Sequence, residues 1–195
     1  DDSLSGTTAI SLYFHGRRNR ITIANVGDSR AVLGVKDKRA GAPGRSGAGL
    51  KAFPLSRDQT PYRKDERKRV RACGARVLSL DQLEGLEPIG DESQSEGGED
   101  DFILGEELDE DGDPPRQNGD YPGTAFTRSI GDAMAEDLGV IAEPEMLTRE
   151  ITPDDKMLIL ASDGVYEFLT NQSVIDICAK FGDPLEACRA VVAEA

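Results

Sequence analysis

Three β-rich runs separated by very short turns occupy the first 35 residues, and they constrain the fold more than any other feature. Residues 7–15 place Ile10, Leu12 and Phe14 at alternate positions, which is the period of a half-buried strand. Residues 20–26 and 29–35 are two further runs, joined by Gly27-Asp28. Because the joining turns are so short, the pattern predicts an antiparallel meander.

The remainder of the chain adds helices to these strands. Thr60 as N-cap, Pro61 at the first helical position and Gly74 as the stop predict a helix over 60–74. Further expected elements are strands at 76–80, 146–151 and 157–161, and helices at 129–138, 172–181 and 184–195. Strand hairpins followed by helices are typical of the α+β class rather than of a doubly wound sheet. A chain of 195 residues has room for a single domain over 1–195.

The apolar run MLILA at 157–161 ends in Ser-Asp-Gly, which places the carboxylate of Asp163 where a buried strand stops. Asp28 holds a similar position, after ITIANVG and before another β-rich run. Aspartates on rigid strand ends are how a protein presents hard oxygen ligands to divalent cations. A structural interpretation is open for both residues, because Asp28 could form an Asx-type turn and Asp163 could cap the following helix.

Negative charge is concentrated in one segment. The formal net charge is −14, and residues 84–113 contain fourteen carboxylates and no Lys or Arg, so the remainder is balanced. The segment 84–118 is predicted to be an acidic, disordered insertion that is too polar to bury a core. Residues 37–50, which are rich in Gly, Ala and Arg, are predicted to form a surface loop. The acidic balance argues against nucleic acid as a partner.

Histidine and cysteine are scarce, which excludes several kinds of site. His15 is the single histidine, so zinc sites built from several imidazoles are excluded and His15 is expected to be structural. The three cysteines show neither C-x-x-C spacing nor the C-x5-R loop of cysteine-dependent phosphatases. Any metal would be held by oxygen, hence Mg²⁺ or Mn²⁺. With no secretory signal and no membrane span, the expected location is cytoplasmic or nuclear.

Six motifs follow one another along the chain. They are SGTTA at 5–9, ANVGDSRAVLG at 24–34, DERKRVRACGARV at 65–77, TAFTRSIGD at 124–132, GVIAEPE at 139–145 and LILASDGVYEFLTNQSVIDI at 158–177. In this order they resemble the metal-dependent protein Ser/Thr phosphatases of the PP2C (PPM) family. The resemblance covers most of the chain outside the two loops. Six motifs in family order are specific, whereas a lone SDG would not be.

The resemblance implies two packed antiparallel β-sheets flanked by helices, an αββα sandwich that is incomplete at both ends of this chain. It also implies a binuclear Mg²⁺ or Mn²⁺ centre at one edge of the sheets. There a metal-activated water would attack the phosphorus of a phosphoserine or phosphothreonine in a protein substrate. By match, Asp163 is a ligand of the binuclear centre and Asp28 is an outer ligand for a third, weaker ion. Asp132 and Arg128 are interpreted as structural.

Two elements of the family pattern have no counterpart in these residues. One is an upstream acidic residue with an Asp-Gly-His-Gly element, the other is a closing Asp-Asn or Asp-Asp pair, and both supply metal ligands in the family. Where many members have Trp, this chain has Tyr166. We therefore expect an incomplete part of a catalytic domain that is inactive alone. The alternative is a pseudophosphatase that acts as a binding or regulatory module.

The resemblance places the region from the 60–74 helix through the acidic insertion at the substrate-side flap of the family. At that position the insertion is either a solvated loop or a set of carboxylates that discourages acidic substrates or mimics a phosphopeptide. DQTPYRKDER at 58–67 and GDPPRQNGDYPGTAFTRSIGD at 112–132 resemble the members that are fused to cyclic-nucleotide-binding and protein kinase modules. A fusion of this kind is therefore expected for the parent chain.

Overall fold

The computed structural model describes residues 5–37, 49–79, 102–105 and 124–195. The chain divides into two compact units. Unit 1 consists of Asp1–Ala9 and Asp58–Glu143, and unit 2 consists of Ile10–Arg57 and Pro144–Ala195. The single domain expected over 1–195 stays a prediction.

Most of the longer strands and helices lie close to the positions that the residue pattern indicates. The strands are β1 (Gly6–Thr7), β2 (Ala9–His15), β3 (Arg20–Val26), β4 (Arg30–Lys36), β5 (Leu50–Pro54), β6 (Arg76–Ser79), β7 (Phe102–Gly105), β8 (Ile130–Gly131), β9 (Glu145–Glu150) and β10 (Asp155–Ala161). The helices are α1 (Lys64–Ala72), α2 (Ala133–Glu136), α3 (Asp163–Tyr166), α4 (Asn171–Cys178) and α5 (Pro184–Glu194). In the described ranges, no helix is both long and apolar enough to cross a membrane.

Unit 2 contains two three-stranded sheets. Sheet I has the order β2-β3-β9, and sheet II has the order β10-β4-β5. In sheet I, β3 and β9 are antiparallel, with Asn25 opposite Glu145. In sheet II, β10 and β4 are antiparallel, with Ala161 opposite Arg30. This last register places the residues before Arg30 and the residues after Ala161 at the same end of sheet II.

Sheet II is covered on both faces. One face packs against sheet I through a cluster of buried residues made of Ile21, Ile23, Ala31, Leu33 and Leu55. The other face packs against the helices through Val32, Tyr166, Val174, Ile175, Cys178, Ala187 and Val191. Strand β4 therefore alternates between two cores, which explains its continuous apolar run. The predicted α+β class with antiparallel sheets flanked by helices is confirmed.

The predicted meander is wrong at its second turn. Strands β3 and β4 are joined through Gly27-Asp28, yet they belong to different sheets. Gly27 has φ 101°, a left-handed conformation that glycine adopts without strain, and the buried Asn25 donates its Nδ2 hydrogen to the Gly27 carbonyl at 3.1 Å. Ile23 and Leu33 consequently face each other across the sandwich instead of lying side by side in one sheet.

Unit 1 has its own small core, made of Val70, Ala75, Val77, Ala135 and Val140. Thr60 was predicted to be the N-cap of this helix, and that prediction is wrong because α1 begins at Lys64. The N-cap is Arg63, whose side chain makes no capping hydrogen bond. Residues 60–63 instead form a turn, in which the Arg63 amide donates to the Thr60 carbonyl at 3.0 Å. Gly74, at φ 90°, follows the end of the helix as predicted.

Three predicted segments of the chain differ in detail from the structure. The helix expected over 129–138 is reduced to α2, because Ile130–Gly131 pairs with Gly6–Thr7 as a short antiparallel ladder. Of the loop predicted over 37–50, residues 38–48 lie outside the described residues, and Leu50 already belongs to strand β5. Most of the predicted insertion at 84–118 also lies outside them, but Phe102–Gly105 forms a strand that pairs with Arg76–Ser79.

Candidate metal centre

Asp163 is the first residue of α3 and follows strand β10 directly after Ser162. Its side chain is exposed, and its Oδ1 atom accepts a hydrogen bond from the Gly164 amide at 2.8 Å. This bond orients the carboxylate just beyond the end of a strand that is paired in sheet II. Asp163 therefore follows the predicted strand, but that strand is not buried as predicted: β10 is an edge strand of sheet II, and its residues are half-buried or exposed.

Asp28 lies in the turn between β3 and β4, two residues before Arg30. Its neighbours Gly27 and Ser29 are buried, and Asp28 itself is half-buried. The turn is held from inside the sandwich by the hydrogen bond between Asn25 and Gly27 described above. Asp28 is thus presented by a turn whose base is fixed in the core.

The register of sheet II brings these two turns together. Arg30, at the start of β4, lies opposite Ala161, at the end of β10. Because the strands are antiparallel, the residues just before Arg30 and just after Ala161 leave the sheet at the same edge. Asp28 and Asp163 are two such residues, although they are far apart in sequence. Sheet II therefore presents two carboxylates at one edge.

Carboxylate oxygens are the donors that Mg²⁺ and Mn²⁺ prefer, so the chemistry of this edge fits such an ion. In the part of the chain that the structure describes, however, Asp28 and Asp163 belong to no close group of three carboxylate, His or Cys ligands. An octahedral ion needs about six oxygen donors. The two aspartates can supply only part of that set, and water or further residues must supply the others.

A feature that the residue pattern did not reveal lies beside this edge. The guanidinium of Arg30 stacks on the ring of Tyr166, with 4.6 Å between its carbon and the ring centroid. Its Nη1 atom also donates a hydrogen bond to Asn171 Oδ1 at 2.9 Å. One side chain on β4 therefore contacts both α3 and the first turn of α4. The only feature of the sequence that could have drawn attention to Arg30 is its position two residues after Asp28.

Unit 1 contains a buried ion-pair network centred on Glu66, whose exposed fraction is 2%. Arg128 binds both carboxylate oxygens, with Nη2 to Oε1 at 2.7 Å and Nε to Oε2 at 3.1 Å. Arg69 Nη2 and Thr127 Oγ1 each donate to Oε2 at 2.6 Å. Burial by itself would raise the pKa of Glu66, but the hydrogen bonds from Arg128, Thr127 and Arg69 lower it to about 2.

The contacts of Arg128 and Asp132 are those of structural residues. Besides its bonds to Glu66, Arg128 donates from Nη1 to the Glu143 carbonyl at 2.8 Å. Asp132 has φ 55°, and its amide donates to the Ser5 carbonyl at 2.9 Å. The Asp132 carboxylate lies so close to the backbone of Gly6 that it would overlap any Cβ at that position. These contacts agree with the structural interpretation of both residues.

His15 and Cys178 also occupy structural positions. His15 Nε2 lies 2.9 Å from Thr22 Oγ1, which in turn lies 3.0 Å from Thr148 Oγ1, so a polar ladder crosses sheet I. Cys178 is buried among the helices, and this burial, together with the nearby Cys188 thiol, raises its pKa. All three cysteines are free thiols.

A cleft of about 390 Å³ opens in unit 2 near the start of β9. Its lining combines apolar side chains, including Phe53, Leu55 and Met146, with the polar Asn25 and Arg57. Neither of the two candidate metal ligands lines it. The cleft is therefore separate from the acidic edge of sheet II.

All residues of the chain, 1–195, match the family model described as Protein phosphatase 2C. The chain therefore belongs to the protein phosphatase 2C family. It is 49% identical over 197 residues to probable protein phosphatase 2C 35 of Arabidopsis thaliana, an overlap that covers 100% of this chain and 51% of that relative. It is 33% identical over 188 residues to probable protein phosphatase 2C 48 of Oryza sativa subsp. japonica, an overlap that covers 96% of this chain and 44% of that relative. The chain thus spans about half the length of these relatives.

Solved structures show the same fold. The chain is similar to a serine-threonine phosphatase 2C from Toxoplasma gondii, with a TM-score of 0.71 and 16% identity over 98% of this chain and 52% of that one. It is also similar to a sex-determining protein from C. elegans, with a TM-score of 0.63 and 18% identity. That match covers 96% of this chain and 36% of the other. At these identities the similarity establishes the fold alone.

Proposed function

We propose that this chain is part of the catalytic domain of a metal-dependent protein Ser/Thr phosphatase, and that Asp28 and Asp163 are ligands of its Mg²⁺ or Mn²⁺ centre. The observation that carries the proposal is the antiparallel register of sheet II, which sends both aspartates to one edge. Membership of the protein phosphatase 2C family supports hydrolysis of phosphoserine and phosphothreonine in proteins as the reaction. The cytoplasm or nucleus is the expected location, and fusion to cyclic-nucleotide-binding and kinase modules stays a prediction.

Aspartates at this edge favour the binding of cations. Their carboxylates attract divalent ions and repel a phosphate monoester, which is itself an anion, so bound cations would assist the approach of substrate. Asp163 accepts a hydrogen bond from the Gly164 amide, and Asp28 lies in the turn that Asn25 supports. Little reorganisation is then needed when a cation arrives. Bound divalent ions would lower the pKa of a water molecule and neutralise charge on the phosphoryl oxygens.

The test is a phosphatase assay of the parent protein with p-nitrophenyl phosphate and a phosphothreonine peptide, with and without Mn²⁺. We expect Asp163→Asn to lower Mn²⁺-dependent kcat/KM at least about 100-fold, which corresponds to about 2.7 kcal/mol of transition-state stabilisation. Asp28→Asn should act mainly by raising the Mn²⁺ concentration that is required. The 195-residue chain alone is expected to be inactive, because two aspartates do not complete the donor set.

Asp183→Asn is the matched control. Asp183 is also an exposed aspartate of unit 2, but it caps α5 by accepting from the Glu186 amide at 3.2 Å, and asparagine caps equally well. This variant should keep full activity. Metal-independent turnover, or wild-type turnover in Asp163→Asn, would reject the mechanism. A parent protein that binds Mn²⁺ and phosphopeptide without turnover would instead support the pseudophosphatase alternative.

A further inference from the structure

The single turn of helix that begins with Asp163 has little stability of its own. Helix α3 has four residues, and its N-cap Ser162 makes no side-chain hydrogen bond. Such a short segment cannot overcome the cost of helix nucleation, so its position must come from tertiary contacts. One of these contacts is the buried ring of Tyr166, which belongs to the core between sheet II and the helices.

The side chain of Arg30 adds a second contact that reaches α3 from the sheet edge itself. Arg30 is the residue of β4 that lies opposite Ala161, so its backbone is fixed beside the point where β10 ends. Its guanidinium stacks on one face of the Tyr166 ring and at the same time donates to Asn171 at the start of α4. A planar guanidinium can stack and donate simultaneously, whereas an ammonium group cannot reproduce both contacts.

We propose that Arg30 is a positioning residue of the metal centre: it clamps α3 and α4 to the edge of sheet II and so holds Asp163 at a fixed place relative to Asp28. The inference rests on the proposed function, because it assigns Arg30 a role toward the ions that the two aspartates would bind. Asp28 and Arg30 are separated by Ser29 alone, so the clamp and one of the ligands share a turn. The contacts of Arg30 thus connect the two ligand-bearing segments directly.

Arg149 provides a matched control within the same unit. Its guanidinium stacks on the ring of Phe53, with 4.7 Å to the centroid, and pairs with Asp155 at 2.9 Å. Both arginines therefore stack on an aromatic ring and donate to a side-chain oxygen, which belongs to a carboxamide for Arg30 and to a carboxylate for Arg149. Asp155, however, begins strand β10, and Asp163 lies beyond the other end of that strand. Removing the Arg149 guanidinium disturbs unit 2 away from the acidic edge.

The experiment compares Arg30→Met, Arg30→Lys and Arg149→Met in the parent protein. Mn²⁺ affinity is measured by titration calorimetry, and amide hydrogen exchange of residues 163–170 is measured in the metal-free protein. We expect Arg30→Met to weaken Mn²⁺ binding about 10-fold or more, in the range typical of residues that orient metal ligands, and to speed exchange in this segment. Arg30→Lys should recover only part of both effects. Arg149→Met should change neither, even where it lowers the melting temperature as much as Arg30→Met does.

Two outcomes would overturn the assignment. One is an Arg30→Met protein that binds Mn²⁺ with wild-type affinity, and the other is an equal loss of affinity in Arg149→Met, which would show general destabilisation. If Arg30→Met does not fold, Arg30→Lys carries the same comparison. Failure of the proposed function is recognised separately, because Asp163→Asn would then bind Mn²⁺ as tightly as wild type. The exchange data on the metal-free protein would still decide whether Arg30 holds α3.

Discussion

Glu66→Gln is the substitution whose effect can be worked out most fully from the structure. The change keeps the size of the side chain but removes the charge that Arg69 and Arg128 share inside unit 1. Two guanidinium groups then face a neutral amide in a buried place. Because the carboxylate is 2% exposed, water cannot replace the lost interactions.

Two arguments give the same magnitude for this loss. Lowering the pKa of Glu66 from 4.5 to about 2 corresponds to about 3 kcal/mol of stability at neutral pH. Removing one partner from a buried ion pair typically costs about 3–5 kcal/mol. We therefore expect Glu66→Gln to lower the free energy of unfolding of unit 1 by about 3 kcal/mol at pH 7.

The sign of the pH dependence follows from the depressed pKa. A carboxyl group with a lowered folded-state pKa contributes its full stability above the unfolded value of 4.5 and loses it as the pH falls toward about 2. The difference between wild type and Glu66→Gln should shrink from about 3 kcal/mol at pH 7 to about 1.4 kcal/mol at pH 3. The chain contains no Trp, so urea unfolding is best followed by circular dichroism, with hydrogen exchange in residues 64–72 as the local probe.

The neighbouring Asp65 supplies the control. It pairs with Arg63 at 2.5 Å, but its side chain is 60% exposed, and exposed ion pairs contribute about 0–1 kcal/mol. Asp65→Asn should therefore be nearly neutral. A loss below about 1 kcal/mol in Glu66→Gln, or a difference from wild type that does not vary with pH, would refute the reasoning.

Substitutions at three further positions have outcomes set by local geometry. Gly6→Ala places a Cβ 1.9 Å from Asp132 Oδ2, so thermal unfolding should show a loss of about 1–3 kcal/mol. In Gly74→Ala the added Cβ meets no atom within 4 Å, but the backbone at this position has φ +90°. We therefore expect a loss of stability of only about 1–2 kcal/mol from backbone strain. A larger loss than in Gly6→Ala would contradict this packing. Ile175→Ala, in the helix-side core of sheet II, should cost about 2–5 kcal/mol in urea unfolding, and Ile175→Val about 1 kcal/mol; equal losses would argue against close packing there.

The local pattern of apolar, polar and turn residues predicted most of the longer strands and helices. Alternating apolar residues and glycine turns predicted β2, β3 and β4 to within two residues at either end, because burial of one strand face imposes the period-two pattern. Strand β5 was missed, since the short run LKAFP contains a lysine and a proline and alternates weakly. Strand β7 was missed because Phe102–Gly105 lies inside an acidic segment whose composition indicated disorder.

The candidate site could be predicted only in part. Asp28 and Asp163 were recognisable because each follows an apolar run and adjoins a glycine. Their position at one edge depends on β4 and β10 pairing across more than a hundred residues, and Arg30 contacts Asn171 across a separation of 141. Side-chain contacts of this range leave no periodic signal in the chain, so Arg30 could not be singled out beforehand.

The sequence by itself determined the class of the fold, the positions of the main strands and helices, and the two aspartates that follow apolar strand segments, because these features follow from local burial and turn chemistry. Only the tertiary structure decided that β3 and β4 lie in opposite sheets. It alone decided that Glu66 is enclosed by Arg69, Arg128 and Thr127. The physical reason is that sheet assignment, strand register and buried ion pairs depend on which distant surfaces pack together, and that choice minimises the free energy of the whole chain rather than of any one segment.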